Sequence, residues 1–425
     1  MITKSNISAV KGMRNIFPPD SYKKQEIINQ CQTIAQQFGY LPWELPILER
    51  TELFKKTLGD DSDVVGKEMY SFVDIGGEDV CLRPEGTAGA IRAGLEHGLF
   101  YNLNQRVSYH GSMFRREKPQ KGRFRQFTQF GFEYLGASSP LADIEMILIT
   151  KNLLAELKII DSVVLEINSI GTSKQRAEYC NYLKRWEASN VIEFSPEQRR
   201  TFENNPLRIL DTKDALIKSK ILNLPTMVDF LLQDQINNFS YIKNILSEKG
   251  ITFIHNPLLV RGLDYYNDFV FEWKLLNENK SQNSIIAGGR YDSLPSVLGG
   301  SQNYAIGCAV GVDRILDYFD ITTTSKITFY FIPLDQLSLV CLDIEVEKLR
   351  RIFKDTIFVI DHSLKGLKTQ IRNSESYNPC VYIIMGDKER LDGKIMIKSS
   401  NDNSALYPIN EYVNQIERII KNGRS

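Results

Sequence analysis

The sequence predicts an α+β protein, with an antiparallel-sheet core interrupted by a helical insertion and followed by a small α/β domain. Three observations support this prediction. A polar hairpin spans residues 109–136, charged and amide residues dominate residues 171–256, and strands alternate with helices after residue 326. A chain of 425 residues can hold two or three domains. We therefore place the core in residues 1–170 and 257–322, the insertion in 171–256 and the second domain in 326–425.

Composition and charge limit the classes to which the protein can belong. Hydrophobic residues make up 42% and charged residues 24%, which is typical of soluble globular proteins. The formal net charge is zero, so binding of nucleic acid would have to depend on local basic patches. No secretory signal or long apolar run occurs, the six cysteines are scattered, and the four histidines lack zinc-ligand spacing. We expect a soluble, cytoplasmic protein with reduced thiols.

The elements before the hairpin follow from local patterns. The sequence predicts, in order, a helix over residues 22–38, an extended segment over 40–48, a strand over 80–83 and a helix over 88–95. Two prolines confine the extended segment to the edge of a sheet or to a subunit boundary. Glu85 and Thr87 lie at the corner between the strand and the second helix, where such residues often serve only to start the helix.

The hairpin of residues 109–136 predicts one polar and one apolar face. Side chains alternate along a strand, so one face of the return strand carries Arg125, Phe127, Gln129, Gly131 and Glu133. The opposite face contains Phe130, Phe132 and Tyr134 and is apolar enough to be core. We expect Gly111 and Gly131 to leave gaps in the polar face. The hairpin is either one wall of a site for a polar ligand or an amphipathic hairpin whose polar face is in water.

Helical and strand patterns continue after the hairpin. They predict a helix over residues 142–157, a strand over 163–170, a capped helix start at Ser195, strands over 269–273, 285–292 and 305–312, and a helix from Asp313. Arg314 would lie in the first turn of that last helix, where a cation opposes the helix dipole. This placement indicates an anionic ligand, and a solvated surface arginine is the alternative.

The final hundred residues predict a separate α/β domain. Residues 321–326 look like a linker. Beyond them the patterns predict strands over 327–332, 356–360, 380–385 and 394–397, with helices over 337–353, 364–371 and 409–421.

Arginines are the candidates for phosphate chemistry. The sequence contains neither G-x-x-x-x-G-K-[ST] nor G-x-G-x-x-G, which excludes a P-loop and a dinucleotide fingerprint. The guanidinium group is always charged and forks onto phosphate oxygens. The candidates at predicted element ends are Arg115, Arg125, Arg261 and Arg314. A small cationic or amphoteric ligand could be bound by Glu85, Glu133, Tyr266 and Tyr291.

Five signatures, in order, resemble those of the bacterial-type histidyl-tRNA synthetases, which are class II aminoacyl-tRNA synthetases. The segments F-R-x-E at 114–117 and R-Q-F at 125–127 resemble the family's motif 2. The segment LRPEGT at 82–87 resembles its amino-acid loop. The segments VRGLDYY at 260–266 and AGGRY at 287–291 resemble its two histidine signatures, and GCAVGVDR at 307–314 resembles its motif 3. Pro46 lies where motif 1 places a proline of the dimer interface. The resemblance runs nearly end to end.

The resemblance implies activation of histidine by ATP to histidyl-adenylate, then transfer to the 3′ end of tRNA(His). By resemblance, Arg115 and Arg261 are catalytic and contact the α-phosphate. ATP would be bound by Arg115, Glu117, Phe127 and Arg314. Histidine would be bound by Glu85, Thr87, Gln129, Glu133, Tyr266 and Tyr291, with Gly131 leaving space for it.

The resemblance also implies partners and domain roles. It suggests contacts to the tRNA acceptor end from Lys121, Arg123 and Arg125. It implies a homodimer, an insertion over the acceptor stem and a C-terminal anticodon-binding domain. Magnesium would arrive with ATP, and the sequence does not identify the residues that bind it. Thr128 departs from the family, whose members often have histidine there, and we expect an effect on packing without loss of activity.

Two other functions are compatible with parts of this pattern. A non-catalytic paralogue could bind histidine to regulate another enzyme, but such subunits typically lack the catalytic arginines and the C-terminal domain. Arg115, Arg261 and Arg314 are all present here, as is the domain. An RNA-binding module without catalysis is disfavoured by the intact amino-acid signatures.

Overall fold

The computed structural model describes residues 7–59, 62, 64–100, 104–190, 192–212, 214–276, 283–322, 327–399 and 404–422. The chain divides into two units, Met1–Thr323 and Thr324–Ser425. Residues 323–326 of the predicted linker, including the predicted first residue of the C-terminal domain, lie outside the described residues. No helix in the described part of the chain is both long and apolar enough to cross a membrane.

The predicted strands and helices of the first unit are present, and further elements, among them the helix of residues 51–58 and the strand of residues 70–73, were not predicted. The strands are β1 Leu41–Pro42, β2 Leu48–Arg50, β3 Tyr70–Val73, β4 Asp79–Leu82, β5 Gln105–Phe114, β6 Gln126–Leu135, β7 Val163–Ser169, β8 Ile254–His255, β9 Asn267–Leu275, β10 Ser284–Arg290 and β11 Ala305–Gly311. The helices are α1 Asp20–Gln37, α2 Thr51–Leu58, α3 Thr87–Glu96, α4 Leu141–Glu156, α5 Ser173–Ala188, α6 Pro196–Asn204, α7 Ala215–Ile221, α8 Gln233–Glu248, α9 Leu294–Val297 and α10 Val312–Tyr318.

One large sheet organises the first unit. Within the described residues it has eight strands in the order β1-β5-β6-β11-β10-β9-β7-β8. The pairs inside the sheet are antiparallel, and only the two-residue edge strands β1 and β8 pair in parallel. Pro42 therefore lies in an edge strand, as predicted. A smaller antiparallel sheet has the order β2-β4-β3. The predicted α+β fold class is confirmed.

The two faces of the hairpin are those that the alternation predicts. On β6, Phe130, Phe132 and Tyr134 are buried in the main core, together with residues of α1 and α4. Across the hairpin, Gln129 is paired with Gly111 and Glu133 with Val107, so these side chains share the other face. The hairpin thus separates the apolar core from a polar face.

The insertion is mostly helical and contains α5 to α8. Ser195 caps α6, because its side chain accepts from the Gln198 amide and the Gln198 side chain accepts from the Ser195 amide. The same reciprocal arrangement, between Thr172 and Gln175, begins α5, a helix that the sequence patterns do not predict. The insertion belongs to the same unit as the core.

The second unit is an α/β domain built on a five-stranded sheet. Its elements are β12 Thr328–Pro333, α11 Gln336–Ile352, β13 Ile357–Ile360, α12 Leu367–Ser374, β14 Val381–Met385, α13 Asp387–Leu391, β15 Lys394–Ser399, β16 Ser404–Pro408 and α14 Tyr412–Asn422. In the described residues the strand order is β13-β12-β14-β15-β16, with the first three parallel and the last two antiparallel. The short, exposed edge strand β16 and the short helix α13 were not predicted.

Candidate active site

A fully buried carboxylate, that of Glu133 on β6, lies at the centre of the site. Its Oε1 accepts hydrogen bonds from the hydroxyls of Tyr109 at 2.7 Å and Thr87 at 2.8 Å. Its Oε2 accepts a hydrogen bond from the hydroxyl of Tyr291 at 2.5 Å. Burial raises the pKa of Glu133 to about 8, although these three hydroxyl donors favour the ionised form. Burial therefore outweighs the hydroxyl donors, and the folded protein keeps the proton of Glu133 to higher pH than an exposed glutamate would.

Neighbouring strands make room for this carboxylate at a glycine. Gly307 on β11 lies opposite Glu133, and a Cβ at that position would stand 1.7 Å from Glu133 Oε2. Only a residue without a side chain leaves this space. The GCAVGVDR signature thus contributes two things to the site: the space that the Glu133 carboxylate occupies, and the charged residues Asp313 and Arg314 at its end.

The two hairpin glycines differ from expectation, because their gaps are filled by the chain itself. The ring of Tyr109 occupies the space over Gly131, where a Cβ would lie 2.2 Å from it. The guanidinium of Arg83 occupies the space over Gly111. The expectation that Gly131 leaves free space for a substrate is therefore wrong for this structure, since Tyr109 lies in that space to reach Glu133.

Glu85 and Thr87 lie at the start of helix α3, which agrees with the interpretation that residues of these types at this corner start the helix. The carboxylate of Glu85 accepts hydrogen bonds from the backbone amides of Thr87 at 2.6 Å and Ala88 at 2.9 Å. Burial raises the pKa of Glu85, against the effect of these amides and of Arg115. Thr87 also bonds Glu133, so the helix start and the buried carboxylate form one network.

Tyrosines line the same network. The ring centroid of Tyr265 lies 4.7 Å from that of Tyr266 and 5.8 Å from that of Tyr291, and all three side chains are buried. The position of Tyr291 is fixed by its neighbour, because Arg290 is buried in a forked ion pair with Asp143, with Nη2 to Oδ2 at 2.6 Å. The site thus has an aromatic, hydroxyl-bearing wall.

Arg115 and Glu117 lie at the end of β5. Arg115 Nε donates to the carbonyl of Pro84 at 2.9 Å, and its guanidinium lies 5.5 Å from the centroid of the Phe127 ring. Glu117 is nearly buried and forms an ion pair with Arg123 at 2.6 Å. Arg115, Glu117 and Phe127, predicted to bind one ligand, are therefore adjacent.

Arg314 is a buried cation in the first turn of α10. It donates to the backbone carbonyls of Gly122 and Ser284, and no described carboxylate lies within ion-pair distance of it. Burial, followed by the repulsion of Arg123, lowers its pKa to about 10. A desolvated guanidinium beside other cations has a strong preference for an anion, which agrees with the prediction from the helix dipole.

Arg261 lies against a carboxylate and a ring. It forms an ion pair with Glu272 on β9, and its guanidinium lies 5.3 Å from the centroid of the Tyr266 ring. Burial lowers the pKa of Arg261 and Glu272 raises it, with a net increase. Glu272 also contacts Lys274 at 3.3 Å, so its negative charge is shared between two cations.

The basic tip of the hairpin has two kinds of cation. Arg125 donates to the backbone carbonyls of Glu117 and Lys11, both at 3.2 Å, and Arg123 is paired with Glu117. Both side chains are half-buried, whereas Lys121 is exposed. Of the three residues predicted to contact tRNA, only Lys121 is exposed, and exposed Arg116 and Lys118 lie in the same tip.

Among the described hydrogen bonds, ion pairs and ring contacts, each predicted site residue contacts another one, except Gln129, Lys121 and Arg314. Gln129 is half-buried on the same face of β6, and no side-chain hydrogen bond of it occurs among the described contacts. Lys121 lies over the ring of Tyr318, 4.4 Å from its centroid. Tyr109, Tyr265 and Arg83 were not predicted. The alternation that placed Gly111 on the polar face also places Tyr109 there, so that signal was available.

Arg83 serves to hold the edge of the sheet. It is buried and donates to the carbonyls of Ser112 at 3.0 Å, Leu45 at 2.9 Å and Pro46 at 3.3 Å. Burial lowers its pKa. Through these bonds the segment that contains Pro46 is attached to β5.

Thr128 contributes its backbone to the site. Its amide donates to Asp313 Oδ2 at 2.5 Å, and Asp313 also pairs with Arg14 at 3.0 Å. Its side chain is buried on the apolar side of the hairpin, as the alternation predicts. This residue links the hairpin to the helix that carries Arg314.

Comparisons with known proteins agree with one another. The family model for histidyl-tRNA synthetase matches residues 12–315. A histidine–tRNA ligase of Blochmanniella pennsylvanica is 39% identical over 401 residues, which cover 93% of this chain and 91% of that protein. The crystal structure of apo S. aureus histidyl-tRNA synthetase superposes with a TM-score of 0.75 at 28% identity, covering 96% of this chain and 99% of that one.

A further structural relative shows the fold alone. It is an ATP phosphoribosyltransferase regulatory subunit/histidyl-tRNA synthetase from Bacillus halodurans, with a TM-score of 0.61 at 18% identity, covering 91% of this chain and 98% of that one. The fold therefore does not by itself separate an enzyme from a regulatory subunit, and the residues of the site must do so.

Proposed function

The chain belongs to the histidyl-tRNA synthetase family, and from this membership and the site we propose that it is a histidine–tRNA ligase. It activates L-histidine with ATP to histidyl-adenylate and then transfers the histidyl group to the 3′ end of tRNA(His). The observation that carries the proposal is that one unit holds both a buried, hydroxyl-bonded carboxylate and the guanidiniums of Arg115 and Arg314, which come from different elements. Such a site suits a small amphoteric substrate and a polyphosphate together.

The histidine side of the site rests on Glu133. We propose that Glu133 and Tyr266 meet the two imidazole nitrogens, with Tyr291 fixing the carboxylate. The carboxylate accepts hydrogen bonds from three hydroxyls, which leaves one of its about four acceptor positions for an imidazole N–H. An apolar isostere would cover this position without a hydrogen bond and be rejected. Glu85, Thr87 and Gln129 would surround the α-amino group.

The ATP side rests on arginines. Phe127 would stack on the adenine, Glu117 would accept from its amino group, and Arg314 would meet the base and the triphosphate. The ion pair with Arg123 holds Glu117 in place before ATP binds. Arg314 lacks a described carboxylate partner, and ATP would supply the missing negative charge.

The chemical steps follow from this arrangement. A carboxylate oxygen of histidine attacks the α-phosphorus, the bond from that phosphorus to the bridging oxygen of the β-phosphate breaks, and pyrophosphate leaves. Arg115 and Arg261 stabilise the charge that develops on the α-phosphate oxygens. A ribose hydroxyl of the terminal adenosine then attacks the histidyl carbonyl, its proton is lost, and AMP leaves.

Several further features belong to the same proposal. Magnesium would enter bound to ATP, whose phosphates would supply most of its ligands. We also propose a homodimer in the cytoplasm, an insertion over the acceptor stem, and anticodon binding by the second unit. The acceptor end would meet the exposed charge of the hairpin tip, with Lys121 foremost.

Histidine-dependent exchange of labelled pyrophosphate into ATP tests the proposal, with the other amino acids as controls. We expect exchange with histidine only. Absence of exchange, together with histidine binding by calorimetry, would instead establish the regulatory paralogue. Arg115→Ala and Arg261→Ala should each lower exchange by about a hundredfold or more. Full exchange by Arg261→Ala, when Arg115→Ala abolishes it, would show that Arg261 has no catalytic role.

A further inference from the structure

An arginine of the insertion binds the backbone of the segment that carries Arg261 and Tyr266. We call residues 260–268 the 260–268 segment. Arg176, on α5, donates through Nη1 to the carbonyl of Tyr266 at 2.5 Å and through Nη2 to that of Asp264 at 3.3 Å. The same Nη1 donates to the carbonyl of Gly171, where the core chain enters the insertion, at 3.1 Å. One guanidinium thus joins the insertion, its junction and the segment.

Other insertion residues hold the same segment at both ends. Near its start, Arg208 Nη2 donates to the carbonyl of Gly262 at 3.0 Å. At its end, Gln235 of α8 donates to the carboxylate of Asp268, whose backbone has a φ of 52°. This left-handed conformation is strained for a residue other than glycine and persists only where the surroundings impose it. The segment is therefore fixed by insertion side chains at several separate points.

The chemistry of Arg176 is unusual for a residue that only fills space. Burial lowers the pKa of its guanidinium, against the opposing effect of the charges of Asp264 and Asp268, and no described carboxylate lies within ion-pair distance of it. Desolvation of a charge costs free energy that packing alone does not recover. Hydrogen bonds to backbone carbonyls offset that cost only if those carbonyls stay within hydrogen-bond distance of the guanidinium. The arrangement therefore favours one conformation of the 260–268 segment.

We propose that Arg176 is a positioning residue through which the insertion sets the geometry of Arg261 and Tyr266. The proposal rests on the proposed function, because it concerns the residues assigned there to the α-phosphate and the imidazole. The ATP-binding residues Arg115, Glu117 and Phe127 belong to the hairpin, which Arg176 does not contact among its described hydrogen bonds. The effect of Arg176 therefore falls on histidine and on the chemical step.

Pyrophosphate exchange by Arg176→Ala tests this separation. We expect kcat/KM for histidine to fall about tenfold or more, as for lost hydrogen bonds to a charged group, while the KM for ATP changes less than about twofold. Arg176→Lys keeps the charge but loses the fork, and should recover part of the loss. Arg185→Ala, an exposed arginine of the same helix, is the matched control and should behave as wild type. Equal changes in the KM for histidine and the KM for ATP, or a wild-type kcat/KM for histidine, would overturn the proposal.

Hydrogen exchange provides a readout that does not depend on activity. In Arg176→Ala the amides of residues 260–268 should exchange faster, while those of β5 and β6 are unchanged. Unchanged exchange in the segment would contradict the proposal. If wild type lacks histidine-dependent activity, the proposed function fails, and hydrogen exchange still tests whether Arg176 holds the segment. If Arg176→Ala does not fold, Arg208→Ala, which removes one contact to Gly262, replaces it in both experiments with the same expected pattern.

Discussion

Gly307 and Glu133 lie opposite each other on β11 and β6, and the missing side chain of the glycine is what admits the carboxylate of the glutamate. A Cβ at residue 307 would also stand 2.7 Å from the backbone carbonyl of Phe132, which cannot move independently of its strand. Gly307, a residue of the GCAVGVDR signature, therefore sets the position of the Glu133 carboxylate on the neighbouring strand.

Gly307→Ala should destabilise the protein and weaken histidine binding. Crowding a packed interior costs about 1–3 kcal/mol, and here the carboxylate must leave its three hydroxyl partners. Urea unfolding and the KM for histidine measure the two effects. Gly366→Ala is the control, because a Cβ there meets no atom within 4 Å. A Gly307→Ala protein with wild-type affinity for histidine would show that Glu133 does not need this space.

Glu133→Gln should remove a pH dependence of stability. The folded-state pKa of about 8 lies above the ordinary value of 4.5, so the folded protein keeps the proton to higher pH than the unfolded chain. Its contribution to stability is therefore full below pH 4.5 and is lost as pH rises towards 8, by at most about 1.4 kcal/mol per pH unit.

Urea unfolding of wild type and Glu133→Gln between pH 4.5 and 8 measures this contribution. The free energy of unfolding of wild type should fall relative to that of the variant as pH rises. Exposed Glu248→Gln should leave the wild-type pH profile in place. A constant difference between wild type and Glu133→Gln would mean that the carboxylate does not titrate in this range. Histidine-dependent exchange should be strongly reduced in the variant, since an acceptor for the imidazole is lost.

Arg314→Met should impair ATP binding at little cost in stability. The variant loses two contacts to carbonyls but also releases a desolvated cation that has no described carboxylate partner. We expect ATP to raise the melting temperature of wild type and to have little effect on the variant, whose exchange falls by about a hundredfold or more. Exposed Arg418→Met is the control. Equal stabilisation of both proteins by ATP would remove Arg314 from the ATP site.

Glu272→Gln should destabilise the free protein yet tighten ATP binding. Its carboxylate neutralises Arg261 and Lys274, and breaking a buried ion pair typically costs about 3–5 kcal/mol. Arg261 would then lack its internal anion and attract the α-phosphate more strongly. The KM for ATP in exchange and the melting temperature without ATP measure the two changes. An increased KM for ATP would indicate that Glu272 orients Arg261 and does not compete with phosphate.

Combined replacement of Arg116, Lys118 and Lys121 by glutamine should weaken tRNA binding and leave the activation of histidine unchanged. These side chains are exposed and free to meet phosphates, whereas Arg123 and Arg125 are engaged within the loop. The KM for tRNA should rise, and its dependence on salt should become less steep by about one unit of slope per lost phosphate contact. Pyrophosphate exchange is the internal control and should be unchanged. An unchanged salt dependence would place the acceptor contact elsewhere.

Local patterns were enough to predict the parts of the site that local physics determines. Alternation along β6 places the side chains of Glu133 and Phe132 on opposite faces of the sheet. The position of Arg314 in the first turn of α10 indicates that this arginine binds an anionic ligand. Both inferences needed only the period of one element and its direction.

Long-range packing was beyond such patterns. The gap at Gly111 is filled by Arg83, which strand alternation does not bring to that place. Alternation does place Tyr109 on the face of Gly131, but its ring lies over that glycine because of the register of β5 with β6. Arg125 turns inward because the carbonyl of Lys11, more than a hundred residues earlier, accepts from it. The contacts of the insertion with the 260–268 segment arise in the same way, from helices whose partners lie in another part of the chain.

The position of β11 in the middle of the large sheet has a consequence for synthesis of the chain. About 170 residues separate the end of β6 from the start of the strand that pairs with it. At about 5–20 residues per second, a ribosome needs roughly ten to thirty seconds to make them. During that time one edge of β6 has unpaired backbone groups, which is the state most prone to aggregation. We therefore expect nascent chains that end before residue 305 to aggregate more readily than longer ones.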